Sequence, residues 1–244
     1  MWQAFGAAIA LPLFFRQHLK WCDDIHKPLP AADLRAARVL PISFSLGALL
    51  PAVIGLLPTW YPRSDQLHQQ ILAAWQPDPV WVSWLQATLI IAFSRFSTKQ
   101  SDEESVRWLQ VSYAFAAMVS AAGHLYAVAT LLASKDPRLT FERVYVPYLF
   151  PGPKDAALKL ANGPWLFLQY DLIIISLSCL SWGYALADRI MEKQSKARII
   201  LLFLILAAGV IFGAGAVVSV ILFWREGTLW RKRRSIRTLS AKAK

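Results

Sequence analysis

Asp171 lies within Trp165–Ala187 (WLFLQYDLIIISLSCLSWGYALA), an apolar run long enough to cross a bilayer. A carboxyl in hydrocarbon costs about 2.5–3.5 kcal/mol on insertion scales, so such a residue is retained for a use. Gln169 and Tyr170 precede it, and Trp165 and Trp182 lie on either side. At 1.5 Å per residue it sits about 10 Å into the run, below the interface and above the midplane. An acid among aromatic rings suits proton donation to an apolar substrate. It equally suits a structural pair with Arg, His or Tyr of another helix.

A second group lies on the run Trp108–Ala133, where Gln110, Tyr113, Ser120 and His124 fall on one helical face. A polar stripe on a lipid-embedded helix must face protein or a cavity. It either glues the bundle by interhelical hydrogen bonds or forms one wall of a pocket, with His124 or Tyr113 turned toward Asp171. Glu142, in Thr140-Phe141-Glu142-Arg143, either pairs with Arg143 in solvent or joins the pocket mouth if its loop folds inward. Trp75, Trp81, Trp84 and Gln86 form an aromatic and amide cluster entering another run, with Trp84 and Gln86 deeper than the interface. Indole faces can stabilise a carbocation, or can simply pack. Gly209-x-x-x-Gly213, with Gly215 beyond, reads as close helix packing. Asp33 and Asp136 read as caps of a turn or helix.

These residues require helices to hold them. The chain has 244 residues, 56% hydrophobic and 17% charged, less charged than an ordinary soluble domain. Runs near 20 residues predict an all-α, polytopic transmembrane bundle of about six spans. They are about Trp2–Leu19, Val39–Leu57, Val80–Phe96, Trp108–Ala133, Pro164–Ala187 and Ile199–Trp224. Pro41 and Pro51 should kink or break the second, and Pro164 suits the first turn of the fifth. A seventh span, or a re-entrant segment, would be supplied by the Lys135–Asn162 loop, which holds Val144–Pro151. Residues 1–224 read as one bundle domain and 225–244 as a basic tail, disordered or bound to headgroups. No cleavable signal peptide is evident, and the abrupt first run fits a chain lacking an upstream helix.

Net charge is +11, from 26 Lys and Arg against 15 Asp and Glu. The bases sit in short loops and the tail, which points to anionic headgroups and away from nucleic acid. They nearly balance across the bilayer, so orientation is not fixed by charge, and oligomeric state is open. Cys22 and Cys179 make no disulfide framework, and the lone asparagine, Asn162, makes no glycosylation acceptor. Asp23-Asp24 continues as Ile25-His26-Lys27, which is not an acid-rich metal motif. No DxDD run, P-loop, GxGxxG, G-x-S-x-G or HExxH is present, and the histidines lack ligand spacing. The residues therefore leave cofactor-free and metal-free acid–base chemistry on an apolar substrate, or no chemistry.

Three stretches carry a resemblance: Leu40–Pro58 (LPISFSLGALLPAVIGLLP), Ala74–Ser83 (AWQPDPVWVS) and Phe167–Asp171 (FLQYD). The chain resembles the small integral-membrane terpene cyclases of fungal meroterpenoid pathways, in particular the ascochlorin and ascofuranone cyclase group. The resemblance implies a multi-pass protein of the endoplasmic reticulum. Its substrate would be a prenylated aromatic or polyketide-derived epoxide. An enzyme acid protonates the terminal epoxide of an epoxyfarnesyl chain, alkenes attack the developing cation, and a base removes a proton, without metal or organic cofactor. Asp171 would be the acid, with Tyr170, His124 or Glu142 orienting it or taking the final proton. Gln169, Tyr170, Tyr113, Trp75, Trp84, Gln86 and Trp182 would line the substrate. Two other classes fit the same residues: a small transporter with an Asp171–His124 relay, and a sterol-isomerase-like membrane enzyme.

Overall fold

The protein was analysed as a computed structural model, which describes residues 6–22, 33–57, 61–94, 101–137, 139–147, 156–191 and 195–242. Among these residues every regular element is helical. In chain order they are α1 (Ala7–Trp21), α2 (Leu34–Leu56), α3 (Asp65–Trp75), α4 (Asp78–Ser94), α5 (Asp102–Ala133), α6 (Phe141–Tyr145), α7 (Ala156–Asp188), α8 (Ser195–Phe212) and α9 (Ala214–Lys242). The chain divides into two compact units, Met1–Lys27 with Ala116–Arg225 and Pro28–Phe115 with Glu226–Lys244.

In the first unit α1 runs parallel to α7. Ala8 meets Asp171 at one end, Phe15 stacks on Trp182 midway, and Leu19 accepts from Arg189 at the other. Leu186, buried with Phe15, Trp182 and Val218, completes that seam. A second cluster joins Leu180 and Ala187 of α7 to Ile205 of α8 and to Val217 and Ile221 of α9. The glycine spacing works as expected: a Cβ on Gly209 would stand 2.7 Å from Leu180 Cδ1, and one on Gly215 2.5 Å from Ser120 Oγ.

In the second unit α2 packs on α4. Asp33 caps α2 by accepting the Arg35 N–H at 2.9 Å, and that bond holds its carboxyl below the usual carboxylate value. Pro41 and Pro51 do not break the helix. Ser45–Leu49 widens into a π turn, in which the Leu50 N–H reaches back to Ser45 O. The extra residue in that turn relieves the clash and the lost bond that Pro51 brings. Arg63 then caps the helix end, donating to Gly55 O at 2.5 Å and Ile54 O at 3.0 Å. Arg38 and Glu104 form an ion pair between α2 and α5.

Three expectations need correction. Among the described residues, three helices are long and apolar enough to cross a membrane: Leu34–Leu56, Asp102–Ala133 and Gly163–Asp188. About six were expected. The first run yields 15 helical residues after Gly6 at φ 77°. The sixth run is cut at Gly213, φ 86°, into α8 and α9. Asp78–Phe93 and Ala197–Phe212 are apolar but shorter. Next, Pro164 lies inside α7 rather than at its first turn, because the helix reaches back to Ala156. Finally, the basic tail is helical to Lys242, continuing α9, which corrects the disordered alternative for it. The proposed re-entrant stretch is described only through Pro147; Tyr148–Pro151 lie outside the described residues.

Both units expose large apolar side chains. Val210, Ile91 and Leu132 are more than 70% exposed, and none of the apolar window of α5 is buried. Apolar area on that scale calls for lipid or a partner to cover it.

Candidate active site

The Asp171 carboxyl is half-buried on α7, and its Oδ1 accepts the Ala8 N–H at 3.1 Å. Gly6, the residue before α1, offers no side chain to cap that helix. A carboxyl borrowed from α7 takes the place, accepting the Ala8 N–H. Trp182 lies eleven residues on, within about 20° of the same α7 face and about 16 Å along the axis. It is buried, stacks on Phe15 at 4.6 Å and donates its indole N–H to His18 Nδ1 at 3.3 Å. Trp182 thus serves the α1–α7 seam, below Asp171.

Gln169 looks the other way, since two residues turn a helix by about 200°. It is buried and donates through Nε2 to Arg143 O at 2.6 Å and Val144 O at 3.1 Å. Trp165 donates to the same Arg143 carbonyl at 2.8 Å. Together they fasten α6, which carries Glu142, against the first turns of the α7 apolar run. The loop therefore does fold onto the helix of Asp171, although the Glu142 side chain is exposed. The Gln169 Oε1 is buried with no hydrogen-bond partner. Tyr170 points outward, about one-third exposed at 37%.

His124 is spent elsewhere in the same unit. Its Nε2 lies 3.1 Å from the carbonyl of Val210, one of those freed where α8 ends, and its Cβ lies 3.0 Å from where a Gly213 Cβ would be. The polar stripe of α5 follows the glycines of α9: Ser120 faces Gly215, and, in the second unit, Gln110 faces Gly227. The gluing reading of the stripe accounts for these contacts. Tyr113 is half-buried on α5.

The remaining candidates belong to the second unit. Gln86 clips α4 to α2, accepting from Ser43 Oγ and donating to Ala36 O at 2.9 Å. Trp84, about 200° round the helix from it, lines a different space. There Trp75, Trp81 and Trp84 border a cavity of about 380 Å³ with Leu46 and Ile71. Asp78 shares that cavity, and sequence reasoning did not single it out. The signal was present: Asp78 opens an apolar helix inside Ala74–Ser83, among the indoles already noted.

The described residues thus form a helical protein with membrane-length helices and an acid built into one of them. The chain belongs to the CtvD domain family, which matches residues 1–230. It is 27% identical to terpene cyclase DEP1 of Fusarium langsethiae, over 76% of this chain and 54% of that protein. It is also 29% identical to terpene cyclase janA of Penicillium janthinellum, over 75% of this chain and 49% of that protein. Terpene cyclase atmA of Aspergillus flavus matches at 24%, over 92% of this chain and 63% of that protein. The chain spans about half the length of the first two. No solved structure matches.

Proposed function

We propose that this chain performs membrane-bound, acid-initiated terpene cyclisation, with Asp171 as the proton donor. The observation that carries the reading is the Asp171 carboxyl in a membrane-length helix, held by the Ala8 N–H through one oxygen. Membership of the CtvD domain family and the similarity to named terpene cyclases support it. The substrate is an epoxidised prenyl chain on an aromatic or polyketide-derived head. With Oδ1 engaged by Ala8, Oδ2 carries the proton to the epoxide oxygen. The O–H bond forms as the C–O bond opens, and an alkene supplies its π electrons to the cationic carbon. Tyr170 and Glu142 are the proposed acceptors of the final proton, while His124 holds the α8–α9 break. Apolar surroundings keep water from the cation.

Asp171→Asn separates this role from a purely structural one. Asparagine keeps an oxygen to accept from Ala8 but loses the acidic proton. In microsomes given an epoxyfarnesyl substrate, cyclised product should fall by roughly 10²–10⁴-fold with the protein still present. Undiminished cyclisation would leave Asp171 a helix cap and nothing more.

A further inference from the structure

Along the α1–α7 seam of the first unit runs a groove of about 560 Å³ whose character changes along its length. Pro12, Arg16 and Lys20 follow at four-residue steps on one face of α1. Over about 12 Å that row passes from an apolar ring to two cations. Opposite it, α7 passes from Leu177, through the hydroxyls of Ser178 and Ser181, to Arg189. Phe15 and Trp182, stacked at 4.6 Å, line the groove between the two rows. Arg189 is fixed there by donating through Nη1 to Leu19 O at 2.9 Å. Among the described residues the lining holds three bases and no acid. The adjacent acid, Asp188, is paired with Arg198 at 2.6 Å. Arg16, Lys20 and Ser181 are exposed, and Leu177 is 53% exposed, so the groove is open to its surroundings.

The place of the bases in the fold specifies the ligand. The membrane-length part of α7 ends at Asp188, so Arg189 stands where hydrocarbon gives way to headgroups. Lys20 lies beside that end, because α1 runs parallel to α7 and Leu19 meets Arg189. Basic side chains at this level attract anionic headgroups, and guanidinium groups bind phosphate through paired N–H donors. The apolar part of the groove runs the other way, toward the bilayer interior, and fits a length of acyl chain. We propose that this groove binds one anionic phospholipid, with its phosphate among Arg16, Lys20 and Arg189, its ester oxygens beside Ser178 and Ser181, and one acyl chain along Pro12 and Leu177. A zwitterionic headgroup would bring a fourth cation to the three bases and is disfavoured. The lipid bridges α1 and α7, and so secures the seam whose other end places the Ala8 N–H on Asp171. The site does not depend on the reaction proposed above.

The test uses the full chain in detergent, titrated with phosphatidic acid or with phosphatidylcholine of the same acyl chains. Native mass spectrometry counts the lipids retained and gives the dissociation constant of the first. The unmodified chain should bind phosphatidic acid roughly tenfold or more tightly than phosphatidylcholine. Arg16→Gln combined with Lys20→Gln should weaken phosphatidic acid by roughly tenfold or more and phosphatidylcholine by less than about threefold. Arg16→Lys combined with Lys20→Arg keeps both charges and should keep the preference, which separates loss of the site from loss of fold. Arg231→Gln combined with Lys232→Gln removes two charges from the basic tail and should leave the first bound lipid unchanged. Glycerol 3-phosphate, a headgroup without acyl chains, should not displace phosphatidic acid at equal concentration. Phosphatidic acid binding unchanged in the Arg16 and Lys20 double variant, or equally weakened in the tail variant, overturns the proposal. Displacement by glycerol 3-phosphate also overturns it, because the groove would then be a simple phosphate site.

Discussion

Gly213→Ala should be far more damaging than its size suggests, for two separable reasons. Gly213 sits at φ 86°, where an L-residue with a Cβ costs about 1–2 kcal/mol. The new methyl would also lie 3.0 Å from His124 Cβ and 3.1 Å from Cγ. Moving His124 aside strains its bond to Val210 O, and overpacking of this kind costs about 1–3 kcal/mol. Together the substitution should destabilise the protein by about 2–5 kcal/mol. Gly123→Ala is the control. Gly123 neighbours His124 in sequence, lies inside α5 at ordinary helical φ, and has nothing within 4 Å of an added Cβ. It should be neutral or stabilising by up to about 1 kcal/mol. Thermal unfolding of both variants in one detergent gives the comparison. Equal midpoints would refute the claim that Gly213 is set by the break and by His124.

Two further outcomes follow from single side chains. Gln86→Leu removes both hydrogen bonds of the clip between α4 and α2, leaving Ser43 Oγ only Leu40 O, so it should cost about 1–3 kcal/mol, read as a lowered unfolding midpoint. Trp84→Phe on the opposite face should cost much less, and parity between the two would show that the clip carries no stability. Gln169→Leu should release α6 from α7, seen as faster proteolytic cleavage within residues 139–147 while the rest of the chain stays resistant. Unchanged cleavage would mean that Trp165 alone holds the segment.

What the sequence determined by itself is the solvent and the material. Apolar runs separated by short polar stretches dictate helices with lipid-compatible surfaces, because backbone groups in hydrocarbon must bond within their own segment. The glycine spacing at Gly209 and Gly213 foretold close packing, since only a residue without a Cβ admits Leu180 and His124 at those distances. The acid in a membrane-length helix was equally legible, being a cost that composition alone exposes. Tertiary structure decided which neighbours act together. Gln169 and Asp171 lie two residues apart in the chain, as do Trp84 and Gln86, yet each pair is split across its helix by about 200°. One member of each turns to a neighbouring backbone, Gln169 to α6 and Gln86 to α2, while Asp171 caps α1 and Trp84 walls a cavity. The length of the sixth run was likewise hidden. Composition reads through Gly213, whereas its positive φ ends one helix and starts the next. Asp78 shows the converse. Its helix-opening position looks ordinary in sequence, and only the folding of α2, α3 and α4 brings it to the cavity that Trp75, Trp81 and Trp84 line.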